Sequence, residues 1–283
     1  MIAQCRTLLL LGRVSNLPTV WSNCLAGWLL GGGGEWSRFG LLCAGATSMY
    51  VGGMFLNDAF DAAFDAQHRR ERPIPSGAIR VGTVWSLGFA LLAGGTLLLA
   101  ALGLTTAVLA LLLAASIVLY DWIHKAVKLS PLLMALCRFF LYLAAASTAV
   151  SGVTALAVWF GVGVAAYVVG LSYLARKEAT GVVIQRWPLA LLLVPPLLAV
   201  LVNDGTSRQP TLLVAVVFLL WTVRSLRHVW TQPPQVPRAV SGLLAGLVWV
   251  DLLAVADEPR MFGAAFIVLF LAAVVFQKFV PAT

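Results

Sequence analysis

Between positions 57 and 65 the chain reads Asn57-Asp58-Ala59-Phe60-Asp61-Ala62-Ala63-Phe64-Asp65, and Gln67-His68-Arg69-Arg70-Glu71-Arg72-Pro73 follows. In a helix carried through this stretch, Asp58, Asp61 and Asp65 stand at i, i+3 and i+7, within about 60° of one another on one face. Like charges at that spacing repel, so the arrangement is unfavourable without a counter-ion, and a divalent cation removes the objection. Magnesium takes hard oxygen ligands and keeps positions for water or phosphate. Asp58, Asp61 and Asp65, with the Asn57 amide oxygen, therefore make a ligand set for Mg2+ bridged to a diphosphate. Arg69, Arg70 and Arg72 add cations nearby, so the ligand implied is multiply anionic. The plainer alternative is a solvated acidic helix end whose basic neighbours form surface ion pairs.

The elements that must position these residues are membrane helices. Apolar residues make up 61% of the 283 positions and charged residues 11%, proportions foreign to a water-soluble domain. Runs long enough to cross a bilayer core of roughly 30 Å recur along nearly the whole chain. Spans are expected at about 14–33, 38–57, 83–102, 104–120, 130–150, 154–174, 187–203, 211–229, 239–256 and 262–280. The ninth has a re-entrant or interfacial helix as its alternative, so the expectation is an all-α polytopic bundle of nine or ten helices in one domain. Continuous runs rich in Leu, Ala, Val and Gly, without alternating polarity, exclude a β-barrel. The first span is too long, and lacks a small-residue cleavage site, to be a removed signal peptide.

Charge sets the orientation. Arg6, Arg13, Arg69, Arg70, Arg72, Arg80, Lys125, Lys128, Arg176, Lys177, Arg186, Arg224, Arg227, Arg238 and Lys278 fall on one side, against Arg38, Arg208 and Arg260 on the other. The first side is expected to be cytoplasmic, with the N-terminus there and a bacterial inner membrane as the location. The net charge of +8 is mostly this bias, with attraction to anionic headgroups or an anionic substrate added, and it gives no argument for nucleic acid. Cys5, Cys24, Cys43 and Cys137 show no metal-ligand spacing and read as small apolar residues.

Three further places carry polar residues into or beside spans. Tyr120-Asp121-Trp122-Ile123-His124-Lys125 ends the fourth span, where an interfacial aromatic belt with a snorkelling Lys explains the same residues without catalysis. Arg138 lies within the fifth span, where an unpaired cation costs about 2.5–3.5 kcal/mol, so it faces a cavity or a partner such as Asp121 or Asp251. Asp251 sits in an apolar run of the ninth and pairs with Arg138, faces a polar acceptor, or lies near the surface.

On these residues the chain resembles the UbiA-type intramembrane prenyltransferases, whose signature after the second helix is N-D-x-x-D-x-x-x-D; Asn57, Asp58, Asp61 and Asp65 match it in full. Arg72-Pro73 with Pro75-Ser76-Gly77 is similar to that family's R-P-[IL]-x-x-G segment, and Arg13 with Asn16 to its N-terminal pattern. The resemblance implies Mg2+-dependent transfer of an isoprenoid group from an allylic prenyl diphosphate to an unidentified small or aromatic acceptor, within membrane lipid. It implies that Asp58, Asp61 and Asp65 are catalytic, and that Asn57, Arg13, Asn16, Arg72, Lys125 and Arg138 meet the substrate. The family's second D-x-x-x-D is replaced by Ser172-Tyr173-Leu174-Ala175-Arg176-Lys177-Glu178-Ala179-Thr180. Here Tyr173, Arg176, Lys177 and Glu178 are the substrate-binding candidates. Either Glu178 holds a metal, or Arg176 and Lys177 replace one and pair the diphosphate directly. The departure leaves open a transporter or binder of an isoprenoid or lipid diphosphate without catalysis. CDP-alcohol phosphotransferases also place D-x-x-x-D beside a membrane helix, but their upstream D-G-x-x-A-R is missing.

Overall fold

In lipid a backbone can satisfy its own N–H and C=O groups only as a helix or a closed barrel, and the apolar runs of this chain all take the helical solution. A computed structural model describes residues 2–178, 187–203 and 205–282, without the side chains of 2, 3, 176–178 and 206. The order is α1 (Ile2–Leu11), a 3-10 turn (Val14–Asn16), α2 (Leu17–Leu30), α3 (Trp36–Phe60), α4 (Ala62–His68), α5 (Val81–Ala100), α6 (Leu104–Ile123), α7 (Ser130–Ser147) and α8 (Ala155–Glu178). Then come α9 (Trp187–Ala190), a 3-10 turn (Leu191–Leu193), α10 (Val194–Val202), α11 (Arg208–Arg227), α12 (Val236–Ala254) and α13 (Arg260–Phe276). Among the described residues there is no strand.

Among the described residues seven helices, α3, α5, α6, α7, α8, α11 and α12, are long and apolar enough to cross a membrane, so the chain is an integral membrane protein. The nine or ten crossings expected from hydropathy are not all met by length. The first expected span is trimmed at both ends. It starts only after Arg13, whose backbone is left-handed at φ 41, and the 3-10 turn, and it stops at Gly32 to Gly34, which all have positive φ. The 14 residues of α2 rise about 21 Å, short of the hydrocarbon core. The segment from 187 to 202 is interrupted by a 3-10 turn, and Pro195 and Pro196 open α10. The ninth expected span is a continuous helix, α12, with most of its length buried, not a re-entrant loop.

Consecutive helices return to alternate ends of the bundle. At one end Ser151 N–H donates to Gly31 C=O (2.7 Å), Val150 N–H to Gly33 C=O (2.9 Å), and Arg38 Nη2 to Leu102 C=O (2.6 Å). At the other end the start of α2, the ends of α3 and α6 and the C-terminal residues meet, as Asn16 Nδ2 donating to Ala282 C=O (2.9 Å) shows. The aspartate segment lies at this second end.

Small residues bring the helices into backbone contact. Gly45 and Gly52 on α3 are seven apart, as are Gly88 and Gly95 on α5, and the two helices run antiparallel so that Gly45 meets Gly95 and Gly52 meets Gly88. A Cβ built on Gly95 would stand 2.7 Å from Gly45 O, and one on Gly52 would stand 2.9 Å from Gly88 O. Membrane helices associate through such close packing because lipid removes the hydrophobic drive between them. Gly27 on α2 and Gly31 capping it do the same against Tyr142 and Ala146 of α7. Near the functional end, Leu11, Phe55, Ala59 and Val84 form a small core with Ile74 and Ile79 packed on it, tying the loop after α4 to α3 and α5.

Candidate active site

The second helix almost continues through the aspartates, as its spacing predicts. Asp61 N–H donates to Asn57 C=O (3.0 Å) and Asp65 N–H to Asp61 C=O (2.9 Å), so only a local break at Asp61 separates α3 from α4. The helix stops at His68, and Arg69 has left the helical region. Arg69 and Arg72 therefore do not share a helical face; Arg72 arrives from turns in the following loop.

Asn57, Asp58, Asp61 and Asp65 are all buried, with cations around them. Asp58 Oδ1 accepts from Arg13 Nη2 and Arg72 Nη1, each at 3.0 Å. Arg72 Nη1 also stands 3.4 Å from Asp65 Oδ2, so one guanidinium holds Asp58 and Asp65 together. Asp61 turns to the end of α6, where Lys125 Nζ is 2.6 Å and His124 Nε2 3.4 Å from its Oδ1. Lys125 also lies 3.9 Å above the Phe64 ring. The carboxylates are shielded from water, so the pairings with the half-buried Arg13 and Arg72 count for more than on an open surface, while the exposed Lys125 gains less.

Asp61 and Asp65 differ in their electrostatics. Burial pushes the Asp61 carboxyl up, but His124 and Lys125 outweigh it and hold the group below its usual range. Burial also pushes Asp65 up, Arg72 pulls against this, and the charges of Asp61 and Asp58 add to the rise, leaving it above its usual range. Asp65 Oδ1 is buried with no hydrogen-bond partner. Asp65 is thus a carboxylate short of positive charge.

The donor set fits a hard cation in chemistry, since Asn57, Asp58, Asp61 and Asp65 offer oxygens and one of these oxygens is buried without a partner. Among the described residues, however, no three His, Cys, Asp or Glu side chains are grouped closely enough to hold a metal ion together. The carboxylates are instead shared among Arg13, Arg72 and Lys125, so the anion-binding cations are already in place at the site.

The remaining predicted residues divide. Asn16 is buried at the start of α2, its Nδ2 spent on Ala282 C=O and its Oδ1 without a partner. Tyr173 is half-buried and packs on Trp187 with centroids 5.3 Å apart. The side chains of Arg176, Lys177 and Glu178 lie outside the described residues, as do residues 179–186. Arg138 makes no ion pair with Asp121 or Asp251. Its Nη1 donates to Thr19 C=O (3.0 Å) and Asn23 Oδ1 (2.7 Å), and its Nη2 to Thr19 Oγ1 (3.0 Å). Asn23 Nδ2 in turn donates to Asp251 Oδ1 (2.7 Å), and Ser22 Oγ to Asp251 Oδ2 (2.5 Å). The amide of Asn23 thus bridges the half-buried Arg138 and the buried Asp251 and ties α2, α7 and α12 together.

Two residues at the cluster are not among the substrate or metal candidates of the sequence: Asp121, expected there only as a partner of Arg138 and here joined to Asn57, and His124, joined to Asp61. Their signal was the spacing from Asp121 to His124 and Lys125, which puts all three on the inner face at one helix end.

A profile of the UbiA prenyltransferase family matches residues 16–248. A digeranylgeranylglyceryl phosphate synthase of Ignicoccus hospitalis is 38% identical over 118 residues, covering 42% of this chain and 37% of that protein. One of Metallosphaera sedula is 36% identical over 70 residues, a quarter of each chain. The chain therefore matches well under half the length of these relatives. The fold is similar to that of a UbiA homologue from Aeropyrum pernix K1 (TM-score 0.65, 17% identity, 87% of this chain and 97% of that one). It is also similar to a structure described under the biosynthesis of digeranylgeranylglyceryl phosphate synthase in membranes (TM-score 0.62, 16% identity, 96% and 99%). Motif, site geometry and family profile agree over most of the length, and the chain belongs to the UbiA prenyltransferase family.

Proposed function

We propose that this protein transfers an isoprenoid group from an allylic prenyl diphosphate to an acceptor within the membrane, with Mg2+ at the aspartates. The observation that carries the reading is the placement of the buried Asp58, Asp61 and Asp65 beside the half-buried Arg13 and Arg72 and the exposed Lys125 at a bundle end. Such a set offers oxygens to a cation and N–H donors to phosphate oxygens. Arg13, Arg72 and Lys125 hold the diphosphate as its bond to the allylic carbon lengthens, and their charge stabilises the leaving group. Asp58, Asp61 and Asp65 with Asn57 would hold a Mg2+ ion on drawing together, and the ion would supply further neutralising charge for the same group. The helices below supply an apolar wall that excludes water from the developing allylic cation. Asn16, Arg138, Tyr173, Arg176, Lys177 and Glu178 complete the proposed substrate contacts.

In this reading α2 together with the 3-10 turn before it and the glycines after it, the α9–α10 segment and α13 also carry the chain across the bilayer, giving ten crossings. Both ends of the chain and the cluster face the cytoplasm of a bacterial cell, as the excess of Lys and Arg on that side supports. The names of the curated relatives make geranylgeranyl diphosphate with a glyceryl phosphate acceptor the first pair to assay. Purified protein given labelled prenyl diphosphates and Mg2+ is expected to release diphosphate only when an acceptor is present, and Asp58→Ala or Asp61→Ala to abolish release while the protein stays folded. Full activity in either variant contradicts the proposal. The single carboxylate in residues 172–180 favours the second reading, a non-catalytic binder; saturable donor binding with no release across a panel of acceptors decides for it.

A further inference from the structure

Asp121 is a buried carboxyl that the proposed reaction does not use. It lies on α6 with 3% exposure, its Oδ2 has no partner, and among the described residues no cation forms an ion pair with it. Arg138, its expected partner, is turned to Thr19 and Asn23. A buried carboxyl with so little compensation is a poor source of stability. Among the described residues its one side-chain hydrogen bond comes from Asn57, whose Nδ2 donates to Asp121 Oδ1 at 2.9 Å.

We infer that Asp121 is a positioning residue that fixes the Asn57 carboxamide with its oxygen turned toward the Asp58 cluster. Asn57 stands between two partners of opposite character. A carboxylate only accepts and a guanidinium only donates, so the amide nitrogen must face Asp121 and the amide oxygen must face Arg13. Arg13 Nη2 does donate to Asn57 Oδ1, at 3.3 Å, and the same nitrogen donates to Asp58 Oδ1 at 3.0 Å. Two oxygens from adjacent residues thus converge on one positive atom. That is a notch suited to a hard cation or, as here, to a guanidinium. Were the amide reversed, its N–H groups would face Arg13 and its oxygen would face Asp121, leaving both contacts repulsive. The choice of Asn at 57 follows too: an aspartate there would set a second carboxylate against Asp121.

The inference rests on reading the cluster as a seat for a cation and diphosphate, and the test separates the two. Detergent-purified full-length protein is dialysed to equilibrium against manganese(II) and inorganic diphosphate, and retained manganese is measured alongside the thermal midpoint. Asp121→Leu is expected to raise the half-saturating manganese concentration about tenfold, the usual effect of removing a partner that orients a metal ligand. Asn57→Asp is expected to lose binding comparably. The exchange Asn57→Asp with Asp121→Asn, which restores the hydrogen bond with donor and acceptor reversed, is expected to return the midpoint concentration to within about threefold of the unaltered chain. A merely structural Asp121 would not produce that rescue. Unchanged manganese retention in Asp121→Leu, or an exchange variant no better than Asn57→Asp alone, overturns the inference. If the unaltered chain retains no manganese with diphosphate, the reading of the cluster falls and the inference falls with it. Should Asp121→Leu fail to fold, the exchange variant decides alone.

Discussion

Arg13 does two things that substitution can separate. Its guanidinium meets Asp58 and Asn57, while its backbone sits in the left-handed region at φ 41 and ψ 47, between α1 and the following 3-10 turn. For an L side chain that conformation costs about 1–2 kcal/mol, and glycine avoids it. Arg13→Gly and Arg13→Ala lose the same ion pair, a charge-assisted contact contributing about 1.5–3 kcal/mol. Only the alanine variant keeps the backbone penalty. Glycine also gives back roughly 0.4–1 kcal/mol through a freer unfolded chain, so the difference between the two variants should be about 1 kcal/mol in favour of Arg13→Gly. Equilibrium unfolding in mixed micelles, titrated with SDS and followed by tryptophan fluorescence, measures that difference. Prenyl transfer should be lost equally in both. Arg13→Ala as stable as Arg13→Gly would refute the left-handed assignment, and full activity in Arg13→Gly would remove the guanidinium from the site.

Three other perturbations probe the scaffold and the chemistry. Gly95→Ala should destabilise the bundle by about 1–3 kcal/mol, because its Cβ would meet Gly45 O and Met49 on α3, whereas Gly94→Ala, with nothing within 4 Å, should be neutral in the same titration. A double-mutant cycle of Asn23→Leu and Arg138→Leu should give a coupling of about 1–2 kcal/mol, at the upper end for membrane hydrogen bonds; a value near zero would dissolve the α2–α7 link. Chelation of divalent ions should stop product formation without altering helix content by circular dichroism, and added Mg2+ should restore it; turnover undiminished in chelator would argue against a metal.

Much of this was legible in the chain because the decisive pattern is local. The i, i+3, i+7 placement of Asp58, Asp61 and Asp65 needs only helical periodicity, and the structure keeps it with a break of one residue. What the aspartates pair with is not local. Arg72 reaches Asp58 and Asp65 from a loop, and Lys125 reaches Asp61 from α6, contacts set by how α3 and α6 pack. The position of Arg138 inside an apolar run implies that it needs partners, and it has them, but hydropathy gives no angular information that would name them. Thr19 and Asn23, polar residues four apart inside a proposed span, were the overlooked clue. Helix length meets only part of the expected span count for a related reason: a hydropathy window averages across the 3-10 turns and Gly32 to Gly34, where the backbone departs from a helix. The matched spacing of Gly45 with Gly52 and of Gly88 with Gly95 was present in the sequence, and two antiparallel helices packed on equal seven-residue steps follow from it.

The central claim is that the buried aspartates seat a metal and a diphosphate together. The most direct measurement is a structure determined with a thiolodiphosphate analogue of the donor and manganese(II), located by its anomalous scattering. Manganese at about 2 Å from oxygens of Asp58, Asp61 or Asp65, with diphosphate oxygens against Arg13, Arg72 and Lys125, is the predicted result. A diphosphate bound elsewhere, with those aspartates still closed on their arginine and lysine partners, would contradict it.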